Sequence, residues 1–173
     1  MSPVTVREIE GLGIASVLLR KGQDSALASR LHERFGVGLP HGPRRMGVGG
    51  LSLMGTGPGA WLALSEEGGN AFASSLREAI GDLASVVDQG DGLVVLRLSG
   101  AKVRDVLSKL VAVDVDARAF KVGDVAVTPA GHIGATLWRL DDQPASSVVF
   151  ELAVQRSFAA SFREHLAEAL SSL

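Results

Sequence analysis

Along residues 86–173 the apolar side chains change their spacing repeatedly, and this limits the chain to folds that mix short strands with amphipathic helices. Leu93-Val94-Val95-Leu96-Arg97-Leu98 is a compact apolar run of the kind that forms a well-buried strand. It leads into residues 101–110, where Val103, Val106, Leu107 and Leu110 share one helical face. Residues 111–115 are again apolar and β-branched, and 125–127, 133–140 and 147–154 read as strands separated by Pro129-Ala130-Gly131 and by a turn at 141–144. A final helix is predicted from Phe158, Phe162, Leu166 and Leu170 at four-residue spacing, with Ser157 as its cap and Arg163, Glu164 and Glu168 on the wet side.

The first half follows a similar plan. Residues 12–20 carry Ile14, Val17, Leu18 and Leu19 and read as a strand ending at Lys21-Gly22. A helix follows, capped by Asp24 or Ser25, with Leu27, Leu31 and Phe35 in one stripe and Gly36 at its end. Residues 36–50, with Pro40, His41, Pro43, Arg44 and Arg45, are expected to form a surface loop. Strands at 51–54 and 60–64 flank Gly55-Thr56-Gly57-Pro58-Gly59. Asn70 is placed to cap a helix bearing Phe72, Leu76, Ile80 and Leu83, residues 84–87 look extended, and Gly90-Asp91-Gly92 turns the chain. The halves read β-α-β-β-α-β and β-α-β-β-β-α, without the strict alternation of a doubly wound parallel sheet, so the fold class is α+β. The chain is taken as one domain, 1–173, divisible into two pseudo-repeated halves, 1–88 and 89–173, each a split βαβ unit of the ferredoxin-like kind.

Composition narrows the function classes. At 173 residues, 46% hydrophobic and 21% charged, the chain can bury a core and is not of the disordered type. Its net charge of −2 offers no overall basic field for nucleic acid. It has no cysteine, which removes disulfides, thiolate nucleophiles and cysteine-held metal sites and fits a cytoplasmic setting. The N-terminus has charge where a signal peptide needs an apolar centre, and no apolar run approaches the roughly 20 residues of a membrane span.

No motif for chemistry emerges. Gly11-Leu12-Gly13 and Gly55-Thr56-Gly57-Pro58-Gly59 both miss the dinucleotide fingerprint and suit turns instead. His32, His41, His132 and His165 are scattered, with no pair at helical spacing and no oriented partner for a general base. No catalytic, cofactor-binding or metal-ligating residue is therefore assigned. Arg44 and Arg45 form the one compact basic spot, able to grip a carboxylate with paired donors, and Trp61 and Trp138 are large anchors for a core or an interface. These four residues, Arg44, Arg45, Trp61 and Trp138, are the interface candidates.

Five phrases in order carry a more specific signal. Residues 88–100 end in Val94-Val95-Leu96-Arg97-Leu98-Ser99-Gly100 and are followed by Arg104-Asp105-Val106-Leu107; then come Val113-Asp114-Val115 with Arg118-Ala119-Phe120, His132-Ile133 through Leu137-Trp138 to Asp141-Asp142, and Val154-Gln155-Arg156-Ser157-Phe158. In the first half, Gly57-Pro58-Gly59-Ala60-Trp61-Leu62 is similar to a strand shared with folate-binding aminomethyltransferase-like proteins. Together these resemble the gamma subunit of heterotetrameric sarcosine oxidase, departing at residues 109–112, where the family carries Gly-Cys-Pro, and in a short N-terminal segment. The resemblance implies an aminomethyltransferase-like, folate-binding-type fold in a subunit without catalytic residues. It also implies alpha, beta and delta partner subunits holding FAD, FMN, NAD and tetrahydrofolate. Such a complex demethylates sarcosine oxidatively to glycine, with formaldehyde or methylenetetrahydrofolate and hydrogen peroxide. The alternative is a stand-alone folate-binding or aminomethyltransferase-like protein.

Overall fold

A computed structural model describes residues 3–144 and 147–173; Met1 and Ser2, part of the N-terminal segment read above, lie outside the described residues. The elements run β1 (Thr5–Glu8), β2 (Gly13–Leu19), α1 (Asp24–Phe35), β3 (Arg45–Val48), β4 (Leu51–Gly57), β5 (Ala60–Ser65), α2 (Phe72–Ile80), β6 (Ala84–Asp88), β7 (Leu93–Ser99), α3 (Val103–Leu110), β8 (Val125–Ala130), β9 (Ile133–Arg139), β10 (Val149–Gln155) and α4 (Ala159–Ser171). Two compact units emerge. One is Gly11–Asp91; the other is Gly92–Leu173 joined by the N-terminal segment through Glu10.

The Gly11–Asp91 unit is a five-stranded antiparallel sheet in the order β3-β4-β5-β2-β6. Along β2 and β5 alternate residues Ala15, Val17, Trp61 and Ala63 join Leu27 and Leu31 of α1 and Leu76 and Ile80 of α2 in one apolar cluster. This is the burial expected when a strand of period two and a helix of period 3.6 each present one stripe. Gly13 is small because a Cβ there would run into the Phe72 side chain. At the sheet edge, Arg77 of α2 donates from Nε and Nη2 to the Val86 carbonyl of β6 at 3.3 and 3.0 Å, occupying an acceptor on an otherwise open strand. Arg30 of α1 reaches the end of α2, donating to the Ala79 carbonyl at 2.8 Å and, bidentately, to the Asp82 carboxylate at 3.1 and 3.3 Å.

The second unit has the order β1-β7-β10-β9-β8, again antiparallel throughout. The two sheets share one topology. Numbering β2, β4, β5 and β6 as first to fourth strands of a split βαβ pair gives the spatial order four-one-three-two, with β3 added outside the second strand. In the other unit β7, β9, β10 and β1 occupy the same places, and β8 is the added strand. The expected split βαβ architecture is thus present twice, but the fourth strand of the C-terminal unit comes from the N-terminal segment. Its place is held by Glu8, which pairs with Arg163 of α4, and by Ile9, whose N–H donates to the Val95 carbonyl at 2.9 Å.

β10 is buried at every position from Val149 to Val154, on both faces. Apolar alternation therefore cannot choose its register. The choice falls to Glu151, which stands opposite Arg97 on one side and Trp138 on the other. Arg97 donates to Glu151 Oε1 from Nε at 2.8 Å, with its Nη2 at 2.6 Å, and the Trp138 indole N–H donates to Oε2 at 3.0 Å. A slip of one residue would turn the carboxylate toward the helix-covered face occupied by Leu96, Phe150 and Leu152 and strand it there unpaired.

Several sequence expectations are corrected. The loop expected over 36–50 contains β3, because its Arg45–Val48 segment finds a partner in β4 across the Gly49-Gly50 turn, where both glycines have positive φ. The apolar, β-branched residues 111–115 contribute one isolated bridge, from Val111 to Ala130. Asp24, Asn70 and Ser157 are not caps. Gln23, Ala71 and Phe158 occupy those positions without side-chain cap bonds, and tight three-residue turns, Gly69–Ala71 and Arg156–Phe158, lead into α2 and α4 and satisfy early backbone groups. Phe158 accordingly leaves the buried stripe and is 48% exposed.

Two predictions follow from these contacts. Replacing Glu151 by Leu strands the buried Trp138 N–H and the Arg97 charge and should cost about 2–4 kcal/mol in urea unfolding; adding Arg97→Met should cost less than the sum of the single changes, and strict additivity would contradict the tie. Asp82 is held below the ordinary carboxylate range chiefly by its hydrogen bond from Arg30. A carboxyl lowered on folding adds stability above its unfolded value, about pH 4, and loses it as the pH falls through the folded value. Asp82→Asn should therefore lower Tm at pH 7, with the deficit closing on acidification; a deficit independent of pH would refute the assignment.

Candidate functional site

In the Gly11–Asp91 unit the chain forms a cleft of about 510 Å³, a size suited to a small ligand or an inserted side-chain cluster. Its walls are residues 39–43 and 55–59, with Trp61 between them and Asp24 at the margin. Local sequence explains the shape. Gly36 ends α1 with φ 68°, and Val37 and Leu39 bury themselves beneath the sheet. Trp61 donates its indole N–H to the Pro40 carbonyl at 2.9 Å, which ties the first wall to β5. The walls are then joined to each other, because Gly55 N–H donates to the Arg44 carbonyl at 3.0 Å and Arg44 N–H to the Gly42 carbonyl at 2.8 Å. Gly55 must lack a side chain there, since a Cβ would fall on the Gly42 carbonyl.

Chemically the cleft is an apolar surface of Leu39, three prolines and Trp61, with His41 and Asp24 as its titratable groups. No hydrogen bond among the described residues joins His41 to Asp24, so they do not form an oriented acid–base pair. Among the described residues no cluster of three or more His, Asp or Glu side chains is arranged to hold a metal ion. The geometry suits binding by shape and burial more than bond-breaking.

The interface candidates separate. Arg44 is exposed at the margin of the cleft and Arg45, half-buried, opens β3, where its Nε has no partner among the described residues. Trp61 is 7% exposed and belongs to the cleft. Trp138 is 1% exposed, its N–H is spent on Glu151, and it lies in the other unit. Of the histidines, His41 lines the cleft and His32 is exposed on α1. His132 is an exposed turn residue with φ 68°, and the His165 ring packs where Gly131 lacks a side chain. Asp24, read from sequence as a cap, is instead a cleft residue.

A second charged group lies in the C-terminal unit and escaped the sequence reading. Arg104 donates to the Val115 carbonyl and sits 5.2 Å over the Phe150 ring; Arg139 donates to the Phe120 carbonyl at 3.4 Å and to Asp142 at 3.0 Å. Burial, then the neighbouring Arg139 charge, push Arg104 below its ordinary value. Next to it, backbone and side-chain hydrogen bonds from Arg118 hold Asp116 low, and Asp116 in turn raises Arg118. These groups fasten the long connection between α3 and β8: the Phe120 ring lies 5.7 Å from Phe150, and both arginines grip backbone carbonyls of that segment. Their role is to order a loop.

Comparison with known proteins agrees with this geometry. The fold resembles that of aminomethyltransferase T of the glycine cleavage system from Bartonella henselae, with a TM-score of 0.66 at 17% identity, over 95% of this chain and 45% of that one. A chain of the heterotetrameric sarcosine oxidase from Corynebacterium sp. U-96, solved with pyrrole 2-carboxylate, superposes with a TM-score of 0.84 at 28% identity, over 99% of this chain and 86% of that chain. Sarcosine oxidase subunit gamma from Corynebacterium sp. (strain P-1) is 35% identical over 116 residues, 65% of this chain and 57% of the relative. The Arthrobacter sp. subunit gamma is 31% identical over 142 residues, 81% of this chain and 69% of the relative. This chain thus spans little more than half of the first of these relatives and about two thirds of the second. With residues 20–172 matching the family described as sarcosine oxidase, gamma subunit, the chain belongs to the sarcosine oxidase gamma subunit family.

Proposed function

We propose that this chain is the non-catalytic gamma subunit of a heterotetrameric sarcosine oxidase-like complex in the cytoplasm. Alpha, beta and delta subunits complete the complex and hold FAD, FMN, NAD and tetrahydrofolate. The complex converts sarcosine, or a related secondary amine, to glycine with formaldehyde or 5,10-methylenetetrahydrofolate and hydrogen peroxide. The observation that carries this reading is the superposition of 99% of the chain on one chain of a heterotetrameric sarcosine oxidase. The alternative, a stand-alone folate-binding or aminomethyltransferase-like protein, is disfavoured because the family matched over residues 20–172 is that of the sarcosine oxidase gamma subunit.

In this reading the chain contributes surface. Arg44 and Arg45, with Trp61 beneath the adjoining cleft, are the docking residues, and Trp138 contributes through the strands it holds in register. Co-expression with the alpha, beta and delta subunits should bring the chain through size-exclusion chromatography as part of one assembly, while the purified chain alone turns over no sarcosine. A chain that elutes by itself from that mixture would defeat the reading; saturable micromolar binding of tetrahydrofolate by the isolated chain would favour the alternative.

A further inference from the structure

The chain has three methionines and no cysteine, so its sulfur chemistry belongs to thioethers. Met1 lies outside the described residues. Met54 on β4 is fully buried, whereas Met46, on the edge strand β3, is 45% exposed. Strand register places Met46 opposite Leu53, a core residue of the helix-covered face, so its side chain continues that face to the margin of the sheet. There it meets the chain that has just left α1. A Cβ built on Gly38 would stand 2.9 Å from the Met46 sulfur and 3.2 Å from its methyl carbon, so the thioether fills the space that Gly38 leaves open. Two residues later the Pro40 carbonyl accepts the Trp61 indole N–H. Met46 is thus an apolar prop against the start of the cleft's first wall, and it stands at the edge that water reaches.

We propose that Met46 is a modification site, oxidised by hydrogen peroxide to the sulfoxide, and that this change releases residues 37–40 from the sheet margin. The sulfur lone pair attacks one peroxide oxygen, and the S–O bond forms as the O–O bond breaks. The proton on the transferred oxygen passes to the departing hydroxide, which leaves as water; sulfur gives up two electrons and the peroxide takes them. The oxidant is the peroxide formed in the reaction proposed above, so its source rests on that reading, while the reactivity of Met46 rests on its exposure. Oxidation turns a flexible apolar side chain into a polar one. The new oxygen needs hydrogen-bond donors that the packed contact with Gly38 does not provide, so the side chain turns outward to water and the wall loses its prop.

Met54 serves as the internal control. Brief treatment of the full chain with hydrogen peroxide, read by tandem mass spectrometry, should oxidise Met46 at least about tenfold faster than Met54. In the oxidised chain, deuterium exchange over residues 36–43 should rise about threefold or more, while β7 and β10 stay unchanged. Met46→Gln, polar as the sulfoxide is, should show the faster exchange without peroxide. Met46→Leu keeps an apolar body that peroxide does not attack, and after treatment it should exchange as the untreated wild type does. Thermal unfolding verifies that both variants fold. Met54 reacting as fast as Met46 overturns the site; unchanged exchange over residues 36–43 once Met46 is oxidised, or the same rise in treated Met46→Leu, overturns the release. A co-purified complex that forms no peroxide from sarcosine would instead overturn the reaction proposed above, and with it the source of the oxidant.

Discussion

A buried carboxylate decides how the C-terminal sheet is assembled. β10 is buried on both faces, so burial alone does not tell the strand which way to lie, and Glu151 supplies the missing information by accepting bonds from Arg97 on β7 and Trp138 on β9. The net stabilisation from such a group is modest, because desolvating the charge offsets much of its attraction. Its larger effect is discrimination: a slip of one residue separates the carboxylate from Arg97 and Trp138 and leaves it and the buried indole N–H unpaired. With register set, Leu96, Phe150 and Leu152 face the helices together and the core of that unit closes.

The paired topology adds a second constraint. Both units use the order four-one-three-two with one strand added beyond the second, but only the Gly11–Asp91 unit draws all its strands from a continuous stretch. The other takes its fourth strand from Thr5–Glu8, so the N-terminal segment and the C-terminal half are one folding unit although the rest of the chain separates them. Closing so long a loop is entropically cheap per residue added but slows the search for the pairing. In the continuous unit, the same architecture leaves the connection between α1 and β4 free to form the Pro-rich wall of the cleft.

Most of the architecture was legible because each strand and helix carries its own period. Leu27 and Leu31, or Val103, Val106 and Leu107, mark helix faces without knowledge of their neighbours. What escaped was non-local. Thr5–Glu8 alternates weakly and becomes a strand only because β7 offers an edge; Arg45–Val48 lies among glycines and prolines and is defined by β4. Helix caps were misplaced because Asn70 and Ser157 fall in tight turns that satisfy the backbone without them. Family membership was legible through five ordered phrases, whereas the cleft was not, since its walls are 12 or more residues apart in sequence and meet through Trp61 and Gly55.

The resulting account is of a chain that supplies shape to an assembly: two units stabilised by local ties, one of them carrying a preformed apolar cleft. Hydrogen–deuterium exchange of the full chain, free and within the co-purified complex, tests this most directly. The account predicts new protection concentrated in residues 39–59, with the already slow amides of β7 and β10 unchanged. Protection that spares residues 39–59, or none anywhere in the chain, would contradict it.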